Sequence, residues 1–239
     1  DMVQNLRKAG VDTDAIRLEK GEPTGMAVVC VDQEGNNSII VVPGANRCCD
    51  IEYLKQNQAY FEDCDIVLLQ MEIPYESVCY AVDVASKLHK TVILNPAPAP
   101  ESLPDSIYEK LDYLTPNESE FKKLTGCPTE REEDLIAYCG QLLDKGTRNV
   151  IITLGGRGAL LVNRNGHRLY PPPKVKTVDT TAAGDTFNAA LARKLADGCS
   201  AGEAIVFANY ASALAVSKPG AQDSVPSYEE VLTFKGSVE

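Results

Sequence analysis

Val178-Asp179-Thr180-Thr181-Ala182-Ala183-Gly184-Asp185-Thr186-Phe187 concentrates the most chemistry in the fewest residues of this sequence. It reads as a short strand that stops at a run of small side chains and opens directly into a helix. Small side chains let a backbone approach a ligand closely. The first amides of a helix have no carbonyl partner, so they point at whatever anion lies before them. A phosphate fits that description. Asp185 falls in the first turn, where a carboxylate can accept a proton from a hydroxyl held beside the phosphate. An acidic residue also suits the positive end of a helix dipole with no chemistry involved, and the local sequence leaves both readings open.

Two further constellations could hold a nucleotide. Thr153-Leu154-Gly155-Gly156-Arg157-Gly158 ends a strongly β-branched run with three glycines in four residues. Without β-carbons, a flat base or its phosphates can lie against the backbone. A simple turn would favour glycine too, and no Gly-Lys-Ser/Thr follows, so this is not a Walker A loop. Asn117 and Glu120 have the spacing N-x-x-E at a helix start, which places both on one face. The chemically silent alternative is a helix cap with a reciprocal acidic partner.

The elements that must position these residues alternate strand and helix. Residues 65–70, 91–94, 113–115 and 149–154 read as buried strands, and 76–88, 118–124 and 132–144 as helices, the pattern of a parallel sheet. In such sheets ligands gather beyond the carboxyl ends of the strands, where Thr153 falls. Short strands are expected at 159–162 and 175–178 on either side of Pro171-Pro172-Pro173, followed by helices over 183–196 and 201–216 rich in alanine. Residues 25–42 carry two β-rich runs separated by Asp32-Gln33-Glu34-Gly35-Asn36-Asn37, which predicts a hairpin. The chain opens on a helix ending at Gly10 with no strand before it, an unusual start for an open α/β domain, so upstream sequence is expected to be missing.

At 239 residues with 44% apolar side chains, the chain can bury a full core in one main domain. Its formal charge of −11 argues against nucleic acid and anionic membranes as partners. No apolar run approaches a membrane span, and the first residues are not those of a signal peptide. Eight cysteines are scattered with no C-x-x-C pair, and there are two histidines. Reduced thiols in a cytoplasmic protein are therefore expected, and a zinc site is not.

Residues 179–187 resemble the D-T-x-[GA]-A-G-D-[TS]-F signature of the ribokinase family of carbohydrate kinases, the PfkB family. Asn95-Pro96-Ala97-Pro98-Ala99, Thr115-Pro116-Asn117-Glu118-Ser119-Glu120, the Thr153 to Gly158 stretch and Lys218-Pro219-Gly220-Ala221-Gln222-Asp223-Ser224-Val225-Pro226 agree with it in the same order, so the resemblance covers essentially the whole chain. It implies an α/β fold, a three-layer α/β/α sandwich with a mostly parallel central sheet and a small β lid, of which residues 25–43 form part. The implied reaction is transfer of the ATP γ-phosphate to a sugar, D-ribose at its 5-hydroxyl. Asp185 would be the base and Ala182, Ala183 and Gly184 the anion hole. Thr153, Gly155, Gly156, Arg157, Gly158, Asn117 and Asn209 would lie along ATP, and Glu72 would contact the sugar. Glu120 would organise Mg²⁺ through water. Asp179, Thr181, Ala215, Lys218, Gly220 and Ser224 would surround K⁺, several of them through backbone carbonyls. A homodimer joined through the lid is implied as well.

The competing readings are a helix-buried polar residue for Asn209, a surface carboxylate for Glu72 and a structural loop around Gly220. The sequence departs from the family at its start, where a sugar-binding strand and a Gly-Gly-Lys-Gly-Ala-Asn stretch are expected and neither occurs. A fructokinase, a nucleoside kinase or a ketodeoxygluconate kinase would share Asp185. A catalytically silent nucleotide-binding fragment would share the rest.

Overall fold

The computed structural model of the chain describes residues 2–31, 37–128 and 131–238. In chain order its helices are α1 (Met2–Lys8), α2 (Ile51–Gln56), α3 (Gln58–Asp63), α4 (Tyr75–Lys87), α5 (Asp105–Tyr108), α6 (Glu118–Thr125), α7 (Glu132–Asp144), α8 (Ala183–Ala196), α9 (Ala201–Val216) and α10 (Tyr228–Val238). The strands are β1 (Met26–Val31), β2 (Asn37–Val42), β3 (Ile66–Leu69), β4 (Thr91–Leu94), β5 (Tyr113–Leu114), β6 (Asn149–Thr153), β7 (Ala159–Asn163) and β8 (Gly166–Tyr170).

Strands β3 to β8 form one sheet in sequence order. The pairs from β3 to β6 are parallel, while β6–β7 and β7–β8 are antiparallel. Strand alternation divides the core between the two faces. Val150 and Ile152 of β6, with Leu160 and Val162 of β7, pack with α4, α5, α6 and α7. Ile151, Ala159 and Leu161 turn the other way and meet Phe187 and Leu191 of α8 and Ala204, Ile205 and Ala208 of α9. This is the expected three-layer α/β/α arrangement. Phe121 of α6 is wholly buried in the first layer, and cutting it to alanine would cost about 3–5 kcal/mol.

Helix α6 is delimited by its own sequence. Asn117 and Glu120 form a capping box at its start. At its end Gly126 takes the left-handed conformation (φ 73°) and donates to the Lys122 carbonyl at 2.7 Å, a stop that glycine adopts at least cost.

The hairpin expected over residues 25–42 is present as the antiparallel pair β1–β2, with most of its connecting turn outside the described residues. One expected strand is absent. Residues 175–178 are irregular, and the third strand of the antiparallel half is β8, a segment that carried no expectation. Three successive prolines, Pro171 to Pro173, have no N–H to give a ladder, and β8 already takes the place beside β7. The peptide N–H groups of Val178 and Asp179 instead both donate to the carbonyl of Val216, at 2.8 and 3.2 Å. The 179–187 turn is therefore entered from an irregular loop and not from a strand.

Candidate active site

The carboxyl ends of β4, β5 and β6 lie at one end of the sheet because these strands run parallel. A cleft of about 830 Å³ opens there. Asn117 and Ser119 at the start of α6, the residues Thr153, Gly155, Gly156 and Gly158, the irregular stretch through Pro172, Pro173 and Val175, the start of α8 and one face of α9 form its walls.

The start of α8 is built unlike an ordinary helix end. Ala182 occupies the cap position in the left-handed conformation (φ 59°, ψ 11°) and supplies no side-chain bond. For a residue with a β-carbon this backbone costs about 1–2 kcal/mol. The Thr186 N–H returns to the Ala182 carbonyl at 2.9 Å and that of Ala183 reaches Thr180 at 3.3 Å. Among the described residues, the N–H groups of Gly184 and Asp185 meet no acceptor. Beside them the Asp185 side chain is exposed and takes no hydrogen bond among the described residues.

Across the site, the capping-box reading of Asn117 and Glu120 is realised. Asn117 Oδ1 accepts from the Glu120 N–H at 2.9 Å and from Ser119 Oγ at 2.7 Å, and Glu120 Oε2 accepts from the Asn117 N–H at 2.8 Å. The cap uses only part of each side chain, because Asn117 Nδ2 and Glu120 Oε1 remain outside it. Burial raises the Glu120 pKa above the usual glutamate value, the negative charge of Asp185 adds to the rise, and the Asn117 N–H opposes it. The two carboxylates thus sense each other.

Each glycine of the 155–158 turn has a different reason to be there. Gly155 sits at φ 53° and Gly158 at φ 95°, and a β-carbon on Gly158 would stand 2.0 Å from the Tyr170 carbonyl oxygen. Gly156 has neither constraint, and open space surrounds the position of its missing β-carbon. Arg157 pairs with Glu118 at 2.5 Å. Asn209 is buried in α9 and its Nδ2 donates to the Tyr170 carbonyl at 2.8 Å, so the helix-buried polar reading accounts for that donor while the residue still lines the cleft.

Asp179 ties the loop before α8 to the loop after α9. Its Oδ1 accepts from the Thr181 N–H at 2.9 Å and from Thr181 Oγ1 at 2.7 Å, and its Oδ2 accepts from the Gly220 N–H at 3.0 Å. Those bonds hold its carboxyl below the usual aspartate value, with the Thr181 N–H the largest contributor. Asp179, Thr181 and Gly220 are therefore brought together directly. Ala215 lies one residue before the Val216 carbonyl that joins the same two loops, and its own carbonyl accepts from the Lys218 N–H at 3.1 Å. The Lys218 ammonium turns away to Glu230 at 3.1 Å. Ser224 is buried and bonds locally to the Ala221 carbonyl at 2.8 Å. Glu72 lies just past the carboxyl end of β3, exposed and apart from the walls of the cleft.

Sequence reasoning passed over Ser212, Ala213 and Val216. They share the cleft wall with Asn209 at intervals of three, four and seven residues, the stripe of one helix face. That spacing was available in the sequence as a signal. The proline run that closes the opposite wall carried no such signal.

The model of the pfkB family carbohydrate kinases matches residues 1–228. The chain is 38% identical to a ribokinase of Haemophilus influenzae over 233 residues, covering 98% of this chain and 76% of that protein. It is 38% identical to a bifunctional ribokinase/ribose-5-phosphate isomerase A of Fructilactobacillus sanfranciscensis, of which it covers 43%. In three dimensions it is similar to a ribokinase from Thermotoga maritima, with a TM-score of 0.86, 40% identity and coverage of 98% of this chain and 76% of that one. It is also similar to an Arabidopsis thaliana ribokinase complexed with ribose and ATP, with a TM-score of 0.87, 35% identity and coverage of 94% and 73%. On this family match, these identities and this fold, the chain belongs to the pfkB family of carbohydrate kinases.

Proposed function

We propose that the protein transfers the γ-phosphate of ATP to the 5-hydroxyl of D-ribose. The observation that carries this reading is the start of α8, where the Gly184 and Asp185 N–H groups lack acceptors and an unpartnered carboxylate stands beside them. Phosphoryl transfer asks a protein mainly to position the reactants and stabilise charge. The two amides are the anion hole for the transferring group. Asp185 takes the proton of the attacking hydroxyl. Thr153, Gly155, Gly156 and Gly158 lie along the nucleotide with Asn117 and Asn209, and Arg157 closes that side. Open space at Gly156 supports a close backbone approach by the nucleotide. Glu72 is the sugar-side acceptor.

Among the described residues, no group of three or more His, Cys, Asp or Glu side chains could hold a metal ion. Mg²⁺ nevertheless fits the chemistry here, because it keeps several waters and rides on substrate phosphates with one or two carboxylates. Glu120 is that carboxylate, and the ion would neutralise charge on the phosphates. The oxygen-rich junction of Asp179, Thr181, Ala215, Lys218, Gly220 and Ser224 suits K⁺, its ligands being a carboxylate, hydroxyls and carbonyls.

The hairpin β1–β2 is the proposed lid and dimer contact. Met26, Val28, Ile40, Val41 and Val42 are all exposed on it, and an uncovered apolar ribbon calls for a partner. Among the described residues no helix is long and apolar enough to cross a membrane. The reading places the enzyme in the cytoplasm, where thiols stay reduced.

The decisive test is isotope transfer from labelled ATP to D-ribose, 2-deoxyribose and fructose, each with and without K⁺. Ribose is expected to turn over fastest and K⁺ to accelerate it. Preference for 2-deoxyribose would favour a second reading, a deoxyribokinase, since a deoxyribokinase of Salmonella typhi is 32% identical over 228 residues. No transfer to any sugar would overturn both.

A further inference from the structure

The two amides with free N–H groups are held from behind. A peptide unit is planar, so fixing the direction of its C=O fixes the direction of the N–H across the same plane. The Gly184 N–H shares its plane with the Ala183 carbonyl, and the Asp185 N–H shares its plane with the Gly184 carbonyl. Both carbonyls receive a side-chain hydrogen bond. Ser212 Oγ of α9 donates to the Ala183 carbonyl at 3.0 Å, and Asn188 Nδ2 of α8 donates to the Gly184 carbonyl at 2.9 Å.

Asn188 is itself anchored to the sheet. Its Oδ1 accepts from Thr115 Oγ1 at 2.6 Å, and the Thr115 carbonyl accepts from Asn95 Nδ2 at 2.8 Å. Asn188 and Thr115 are each 1% exposed. Polar side chains between a helix and a sheet cost desolvation that an aliphatic side chain would avoid, and they are tolerated only when fully bonded. The carbonyls they serve lie in the first turn of α8, whose own ladder already takes one lone pair from each. The bond from Asn188 satisfies its own buried amide, but an aliphatic side chain at 188 would need no such bond, and neither carbonyl needs a second donor for the helix to form.

We propose that Ser212 and Asn188 are positioning residues that separately aim the Gly184 and Asp185 amides at the transferring phosphate, with Thr115 fixing Asn188 to the end of β5. The proposal rests on the anion-hole reading of this turn. A bond to each carbonyl also polarises its peptide unit and strengthens the N–H opposite. The left-handed Ala182 makes such a clamp necessary, because a strained turn reverts unless its surroundings over-determine it.

The test uses the ¹⁵N-labelled protein, with ADP, Mg²⁺ and aluminium fluoride as the probe of the anion hole. In the parent protein the Gly184 and Asp185 amide protons are expected to move downfield when the probe is added. In Ser212→Ala the Gly184 shift should shrink while that of Asp185 persists; in Asn188→Ala the reverse is expected. Ser212→Thr, which keeps the hydroxyl, should restore the Gly184 response. If Asn188→Ala does not fold, Thr115→Val removes only the anchor of Asn188 and should weaken the Asp185 response. Turnover should fall about tenfold in each alanine variant with KM for ATP near the parent value, short of the 10²–10³ lost when an oxyanion donor is removed outright. Equal loss of both shifts in both variants, or loss in neither, overturns the proposal. A parent protein with no shift at either amide overturns the anion hole and the proposal with it. Reciprocal shifts in a protein that does not phosphorylate ribose would uphold the aiming roles and sink only the choice of sugar.

Discussion

Helices α8 and α9 follow one another, pack side by side, and begin in opposite ways. At α9, Ser200 and Glu203 close a capping box: the Ser200 side chain accepts from the Glu203 N–H, and Glu203 Oε2 accepts from the Ser200 N–H at 2.9 Å. At α8 the cap residue is a left-handed alanine with no side-chain bond, and two N–H groups are left open. One start is satisfied by its own sequence, and the other leaves its N–H groups open to solvent or, on the proposed reading, to a phosphate. Capping is the cheaper arrangement for folding, and its omission at α8 is what the proposed anion hole would require.

The largest effect expected from breaking this contrast is at Asp185. Asp185→Asn should lower kcat on the order of 10²–10⁴-fold while ATP affinity, measured by calorimetry, holds. Retained turnover would return Asp185 to the role of a helix-end charge.

Glu120 sharpens the comparison from across the cleft, where a capping box and the proposed metal-organising carboxylate share one residue. Only the ionised form attracts hydrated Mg²⁺, so activity should fall as pH drops through its raised pKa, and the acidic limb of the pH profile should lie above the ordinary glutamate range. Glu120→Gln should remove that limb and cost about 10–100-fold in rate. The sign for stability is the reverse. The folded state holds the Glu120 proton more tightly than the unfolded chain does, so stability is lost as pH rises from the reference value of 4.5 to the raised folded one. Glu120→Gln is therefore expected to raise Tm at neutral pH while it slows the enzyme.

Ser200→Ala breaks the ordinary cap and should cost about 1 kcal/mol. That corresponds to a Tm about 2–4 °C lower in a chain of this size, with kcat untouched. A change in kcat would show that the α9 start is not merely structural. The smallest effect is expected from Ala182→Gly. Relief of the left-handed strain is offset by the greater freedom of glycine in the unfolded chain, leaving a net gain of about 0.5 kcal/mol, readable as a slight rise in Tm.

Both helices were legible in the sequence, as was α7, because small or apolar side chains recur at helical spacing and glycine follows α7 and α8 while Ser200 caps α9. Strand β4 was equally clear as a buried apolar run. Strand β8 was not, since Gly166, His167 and Arg168 lie exposed on a sheet edge and carry no apolar alternation. Val175, Thr177 and Val178 misled for the opposite reason: their residue types suit a strand, but the prolines before them cannot donate to a ladder and β8 already occupies the edge of β7. Within the site, the 179–187 turn and the 155–158 glycines were visible as local patterns. The bonds of Ser212 and Asn188 to consecutive carbonyls were not, because Ser212 and Thr115 reach α8 only once the chain has folded.

The glycines of the 155–158 turn also give a way to read decay in distant descendants of this chain. Folding demands glycine at 158, where the Tyr170 carbonyl leaves no room for a β-carbon, so that glycine would persist in a lineage that had abandoned catalysis. Gly156 faces open space, and on the proposed reading only an approaching nucleotide would resist a side chain there. A descendant that keeps Gly158 but carries a bulky residue at 156 would have kept the architecture and lost the pressure to bind. Loss of both would mean that the approach of the 155–158 turn to the end of β8 had itself been rebuilt.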